Sequence, residues 1–142
     1  MPSACVFCQI VAGDVPAHVV VDDQLVMGFL DTRPLFHGHT LIVPRVHHET
    51  LGELPHDLIE PLFASTQRLA QVMENDFGAA GSFVAMNNRV SQSVPHLHVH
   101  VVPRNRKDGL RGFFWPRSKY DDDKHAARVA ADLAAVYSAS RG

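Results

Sequence analysis

The sequence has few of the features that mark membrane, secreted or nucleic-acid-binding proteins. Its apolar runs stay well short of the roughly 20 residues that span a bilayer. The first ten residues, MPSACVFCQI, lack a basic segment followed by an apolar core and a small-residue cleavage site. With 13 Lys and Arg against 15 Asp and Glu, the chain also lacks the long basic block that nucleic-acid polymers attract. We therefore expect a cytoplasmic protein that binds neither a membrane nor a nucleic-acid polymer.

Cysteine is scarce, with only Cys5 and Cys8 in 142 residues. In a reducing compartment, a C-x-x-C pair is more often a redox pair or a set of metal ligands than a structural disulfide. A redox pair would favour a βαβ scaffold, which the N-terminal sequence does not supply. The two thiols are predicted to chelate one ion from a tight turn, and thiolates suit zinc.

Apolar residues are plentiful, at 46%, which is enough for one domain over residues 1–142 with a substantial core. A long helical pattern covers residues 53–78, with Gly78 placed to end it, and a second amphipathic pattern covers about 121–139. Strand patterns occur at HVVVDD, LVMGFLD, TLIVPR, SFVAMN and a histidine-rich segment. This order predicts an α+β fold: about five strands in a mostly antiparallel sheet, one long helix and a C-terminal helix.

The histidine-rich segment is SVPHLHVHVVPR, residues 93–104, where three histidines alternate with apolar residues. The period of two predicts a strand with His96, His98 and His100 on one face. Without a function, this would be a polar strand face left exposed to solvent. One zinc ion shared by all three is disfavoured, because the outer Cα atoms of such a strand stand roughly 13 Å apart and ligand nitrogens lie about 2.0–2.1 Å from the metal.

Separate roles for the three imidazoles fit the spacing better. Neutral imidazole is a competent nucleophile near pH 7. His98, in the middle, is predicted to attack an electrophilic phosphorus and form a covalent phospho-imidazole. His100 would hold the phosphoryl oxygens, and His96 would orient the nucleophile or bind a metal.

The segment HLHVHVV, residues 96–102, resembles the His-φ-His-φ-His-φ-φ signature of the histidine triad (HIT) superfamily of nucleotide hydrolases and transferases. Similar supporting segments, CVFCQIVAGDVPAHVV, GFLDTRPLFHGHTLIVPRVH and MNN, occur in the family's order. The resemblance covers about residues 4–117 of a single HIT domain and is strongest to small members that bind purine nucleoside monophosphates. It implies hydrolysis at the α-phosphorus through a nucleotidyl-His98 intermediate, and a symmetric homodimer. The implied substrates are purine nucleoside phosphoramidates, nucleotidyl adducts or dinucleoside polyphosphates.

The resemblance also implies roles for residues outside the histidine segment. Ser93 matches a hydroxyl residue that touches the phosphate and helps to protonate the leaving group, and Asp31 matches the acid that holds the ribose hydroxyls. Further nucleotide contacts are implied for Asn87 or Asn88, for Gln92, and for a base pocket of Phe7, Ile10, Phe29 and Leu30. The chain departs from similar proteins in the loop NNRVSQSV, which is shorter and has Ser91 where Gly is common.

Zinc-containing bacterial members add two histidines to the cysteine pair. The matching residues here are His47, in PRVH, and His96, which with Cys5 and Cys8 make a closed Cys₂His₂ set of the structural kind. His48 is the alternative ligand, and His37 and His39 are interpreted as structural or exposed. Two other functions stay open: a nucleotide-binding or interaction module with negligible turnover, and a redox or zinc-storage protein.

Overall fold

The computed structural model describes residues 4–111 and 117–140, and it divides the chain into two compact units, Met1–Asp108 and Gly109–Gly142. The first unit contains helices α1 (Val6–Ala12) and α2 (His56–Asn75), the 3₁₀ turn Leu51–Glu53, and strands β1 (Val19–Asp22), β2 (Val26–Leu30), β3 (Thr40–Pro44), β4 (Gly81–Ala85) and β5 (Val99–Arg104). The second unit contains helix α3 (Asp123–Ala139).

The five strands form one sheet in the order β1-β2-β3-β5-β4, and every neighbouring pair is antiparallel. The predicted α+β class and the five-stranded sheet are confirmed. Strand β5 lies between β3 and β4, where His100 is in register with Leu41 on one side and Ala85 on the other. The predicted active strand is therefore internal, with backbone pairing on both edges.

Alternation along the strands divides the core into two clusters, one on each face of the sheet. Helix α2 covers the first face, where Ile42, Val99 and Val101 are fully buried. The second face carries Leu41 and Val43 together with residues of α1 and β2. Because consecutive residues point to opposite faces, the histidines that alternate with Val99 and Val101 lie on the α1 side.

Helix α2 begins three residues after the start of the predicted pattern and ends three residues before Gly78. Its buried stripe is Leu62, Thr66, Leu69 and Met73, spaced three and four residues apart as a helix requires. Pro61 lies within the first turns without ending the helix. In the sequence, Phe77 follows Met73 at the four-residue spacing of this stripe and is predicted to lie on it, but the chain leaves the helix at Asp76 and Phe77 is 60% exposed.

Helix α1 is absent from the sequence prediction, which places the two cysteines in a tight turn. Cys5 is the N-cap of this seven-residue helix, and Gly13 ends it with a left-handed φ of 85°. Two turns are too short to give a clear apolar period, and a helix of this length depends on tertiary packing. Phe7 provides that packing, since it is buried in the second core cluster.

Helix α3 begins as the sequence predicts. The side chain of its N-cap, Asp122, accepts a hydrogen bond from the backbone N–H of His125 at 2.8 Å. Over residues 4–111 and 117–140, the helices are all too short or too polar to cross a membrane.

Candidate active site and metal centre

Strand β5 starts at Val99, so only His100 lies within it, and His96 and His98 occupy the extended segment that leads into it. This corrects the prediction of one strand that carries all three histidines. The alternation persists, because Leu97 and Val99 belong to the first core cluster. His96 is 0% and His98 is 2% exposed, which rules out a solvent-exposed histidine face.

The ring of His98 is held in one tautomer by the backbone of His96. Its Nδ1 lies 2.8 Å from the carbonyl oxygen of His96, and because a carbonyl can only accept, Nδ1 carries the proton. Nε2 therefore keeps a lone pair. Burial is the main cause that lowers the pKa of His98 below 6.5, opposed by the hydrogen bond to His96 and by Asp31. A neutral imidazole with an unprotonated Nε2 has the electronic form of a nucleophile.

In the part of the chain that the structure describes, the hydrogen bond of the His98 ring is made by Nδ1. The residue is 2% exposed, and its ring packs against Phe7 with the ring centroids 5.1 Å apart at 85°.

Nε2 of His100 is a hydrogen-bond donor, whereas Nε2 of His98 carries a lone pair. The backbone N–H of Leu35 donates to Nδ1 of His39 at 3.0 Å, so the proton of His39 is on Nε2. That Nε2 lies 2.9 Å from Nδ1 of His100, which must accept, and the proton of His100 is therefore on its own Nε2. Burial, followed by the neighbouring His98 and His39, lowers the pKa of His100 to about 4. His100 thus presents a neutral N–H donor beside a neighbour that presents a lone pair.

The same hydrogen bonds show whether Asp31, His39 and His100 could bind a metal ion. Ligand atoms of Asp31, His39 and His100 lie within 4.8 Å of one another, close enough for a metal ion. A metal on Nε2 of His39 would need a lone pair there, whereas the backbone donor at Nδ1 keeps the proton on Nε2. His39 and His100 instead form a hydrogen-bond relay that starts at the backbone N–H of Leu35, and Asp31 Oδ2 lies 3.6 Å from the Nε2 of His39, beyond hydrogen-bond distance.

A set of ligand atoms that could hold a metal ion lies where α1 meets the segment before β5. His96 Nδ1 lies 3.4 Å from Cys5 Sγ and 3.5 Å from Cys8 Sγ, and His47 Nδ1 lies 3.3 Å from Cys8 Sγ. Nitrogen and sulfur ligands of a tetrahedral zinc ion stand about 3.6 Å apart. The donor set and its spacing fit zinc. His48 does not join this cluster, and its backbone carbonyl instead accepts a hydrogen bond from Leu97.

The tautomer of His96 suits it as a ligand. Its Nε2–H donates to the carbonyl oxygen of Pro44 at 2.9 Å, which leaves the lone pair of Nδ1 directed at the thiols. Carbonyl groups in this position orient metal-binding histidines generally. Burial lowers the pKa of His96 to about 4, so the ring is neutral and able to ligate.

The side-chain amides of Asn88 and Gln92 fix the loop that precedes the histidine segment. Asn88 Oδ1 accepts from the backbone N–H of Leu51 at 2.7 Å. Gln92 accepts from the N–H of Arg89 at 2.9 Å and donates to the carbonyl oxygen of Glu49 at 2.7 Å. Ser91, which stands where similar proteins have Gly, adopts a left-handed φ of 61°. Asn88 and Gln92 therefore support the loop.

The remaining residues that were predicted to contact the nucleotide do not all lie on one side of the sheet. Phe7 and Phe29 pack edge to face with ring centroids 5.3 Å apart, and Ile10 packs against the same cluster. Leu30 points to the other face of the sheet and lines a groove with Met73 and Phe77. Ser93 and Asn87 are both exposed.

Sequence reasoning missed the part that His39 plays. This residue is 3% exposed and joins His100 across 61 positions in the chain. The usable signal was its place next to β3, because the pairing of Leu41 with His100 brings the start of that strand beside the third histidine.

Comparisons with known proteins find similar sequences and structures over most of the chain. The HIT domain family model matches residues 12–107. An adenosine 5′-monophosphoramidase of Saccharomyces cerevisiae is 31% identical over 126 residues, which are 87% of this chain and 77% of that protein. The crystal structure of a HIT family member from Bacillus subtilis is similar with a TM-score of 0.83 and 30% identity, covering 93% of this chain and 96% of that one. A zinc-bound histidine triad family protein from Mycobacterium smegmatis has a TM-score of 0.71 and 37% identity, covering 96% and 98%.

Proposed function

Because the chain belongs to the HIT domain family, we propose that it is a nucleotide hydrolase that cleaves at the α-phosphorus through a nucleotidyl-His98 intermediate. Its substrates are purine nucleoside phosphoramidates, nucleotidyl adducts or dinucleoside polyphosphates. One observation carries the proposal: His98 and His100 are adjacent neutral imidazoles, with ring centroids 5.0 Å apart, that present opposite hydrogen-bonding character. A nucleophilic lone pair beside an N–H donor is what attack on a phosphoryl group needs.

The reaction has two displacements. Nε2 of His98 attacks the α-phosphorus, the P–N or P–O bond to the leaving group breaks, and the leaving group takes a proton that the Ser93 hydroxyl relays from solvent. His100 donates to a phosphoryl oxygen. The nucleotidyl ring is then cationic, and its Nδ1–H remains paired with the carbonyl oxygen of His96. Water attacks the phosphorus and returns one proton to solvent, and the bond to Nε2 breaks to release a nucleoside monophosphate and the neutral ring.

The nucleotide lies against residues that surround this pair. Asp31 binds the ribose hydroxyls with a carboxylate whose side chain is 22% exposed. Phe7, Ile10 and Phe29 form the wall for the purine. Asn87 rather than Asn88 contacts the phosphate, because Asn88 is engaged by the backbone of Leu51.

Zinc binds to Cys5, Cys8, His47 and His96. Four protein ligands leave no open position for water, so the ion supplies shape rather than an activated hydroxide. The protein acts as a symmetric homodimer, as oligomers of small soluble enzymes commonly do.

Single-turnover trapping tests the function. The zinc-loaded protein is mixed with adenosine phosphoramidate carrying a labelled phosphate and quenched in base. Label is expected on wild-type protein and absent from His98→Ala, and the matched control His37→Ala, an exposed histidine of the same unit, is expected to label normally. Nucleotide binding without label or turnover, across phosphoramidates and dinucleoside polyphosphates, would favour the binding module instead.

A further inference from the structure

We propose that the Cys5/Cys8/His47/His96 centre controls the nucleophile as well as the fold: a bound metal holds His98 in its reactive tautomer through the backbone of His96 and the ring of Phe7. The inference rests on the proposed function, since it concerns the same nucleophile. The ion does not touch the substrate. It acts through contacts within this chain.

The first link is His96, which is fixed at each of its polar groups. Its Nδ1 faces the two thiols, its Nε2–H is bound to Pro44, and its backbone N–H donates to the carbonyl oxygen of Val94 at 2.8 Å. The remaining polar group is the carbonyl oxygen, which accepts the Nδ1–H of His98 at 2.8 Å. The residue that ligates the metal is thus also the residue that sets the tautomer of the nucleophile.

The second link is Phe7, which lies between the two cysteines on α1. Its ring packs edge to face on His96, with centroids 5.9 Å apart, and on His98, with centroids 5.1 Å apart. A seven-residue helix is not stable by itself. Ligation by Cys5 and Cys8 anchors its first turn, and through it the aromatic wall of the nucleophile.

Loss of the metal has a defined chemical consequence. When His96 and α1 are released, the carbonyl no longer confines the proton of His98 to Nδ1. The alternative tautomer, with the proton on Nε2, has no lone pair at the attacking atom. The metal-free protein is therefore expected to stay folded on its sheet and on the first core cluster beneath α2, and to form the covalent intermediate slowly.

The experiment compares zinc-loaded protein, protein stripped by a chelator, and stripped protein with zinc restored. The rate of His98 labelling by adenosine phosphoramidate and the ¹⁵N chemical shifts of the His98 ring are measured on each. We expect labelling to slow about 10- to 100-fold without metal, the usual effect of losing an outer support of a site, and to recover with zinc. The ring signals should change from one tautomer to a mixture. Cys8→Ser should behave as the stripped protein, whereas Val6→Ala, on the exposed side of α1, should behave as wild type.

A graded variant covers the case in which complete stripping unfolds the chain. His47 is exposed and belongs neither to α1 nor to the segment before β5, so His47→Gln weakens metal binding without removing either link. In a zinc titration of this variant, labelling rate and ring tautomer should follow metal occupancy while the circular dichroism stays constant. Labelling that is independent of zinc, or a labelling rate that changes only as the circular dichroism is lost, would overturn the proposal. Absence of label from zinc-loaded wild type would instead reject the hydrolase, and the ring tautomer would still test the coupling.

Discussion

The hydrogen bond from His39 to His100 offers a sharp test of the site, because it can be removed while its neighbours are kept. His39 Nε2–H donates to Nδ1 of His100 at 2.9 Å and so forces the proton of His100 onto Nε2, the atom that donates to the phosphate in the proposed mechanism. His39→Leu removes the donor at similar volume. His39→Gln keeps an N–H near the same place.

The expected magnitude follows from the role of the bond. Removing a donor that touches the developing negative charge costs about 10²–10³ in kcat, which sets the expectation for His100→Leu. His39 acts one step away, and support of that kind is worth about 10–100-fold. We therefore expect His39→Leu to lower kcat by about 10–100-fold and His39→Gln to recover most of it. KM should change little, since His39 touches no substrate.

Hydrolysis of adenosine phosphoramidate under saturating substrate is the assay. His39→Leu also leaves the backbone N–H of Leu35 without its acceptor, which costs about 1–3 kcal/mol of stability. Rates must therefore be compared below the unfolding midpoint of each variant. Wild-type kcat in His39→Leu, or equal losses in His39→Leu and His39→Gln, would refute the relay.

Two further predictions concern stability. The pKa of His100 is lowered from 6.5 to about 4, so the unfolded chain takes up this proton first as the pH falls. The neutral His100 ring therefore contributes fully to the free energy of unfolding above pH 6.5. This contribution, up to roughly 3 kcal/mol, is lost as the pH falls from 6.5 to about 4. The groups that face this ring are His98, His39 and Asp31. Urea unfolding of wild type should show this loss, and a His100→Asn slope as steep as wild type would contradict it. Ser91→Gly should raise the unfolding free energy by about 1 kcal/mol, because Gly adopts the left-handed backbone without strain. An unchanged or lower thermal midpoint would count against that explanation.

Local periodicity in the sequence predicted most of the fold. The alternation from His96 to Val101 predicted which residues face the core, although regular strand pairing begins only at Val99. Helix α1 was missed because two turns give no measurable period. Phe77 fitted the stripe of α2 in sequence, yet the helix ends before it.

The parts of the site that could not be predicted depend on pairing between distant strands. The relay from His39 to His100 exists because β3 and β5 are neighbours, which no local pattern states. Leu30 illustrates the same point, since a shift of one residue from Phe29 takes it to the opposite face of the sheet. The hydrogen bond that engages Asn88 depends on the position of Leu51, in the 3₁₀ turn, which no local pattern predicts.

The metal centre joins two ends of a long stretch of chain, because Cys5 and His96 are 91 positions apart. During synthesis, Cys5 and Cys8 leave the ribosome first, and His96 follows only after β4 has been made. Binding of the proposed zinc ion by all four ligands would consequently come late in biogenesis. A truncated product that stops before His96 lacks both the last proposed ligand and the proposed nucleophile, so zinc could be held by all four ligands only when the histidine segment is present.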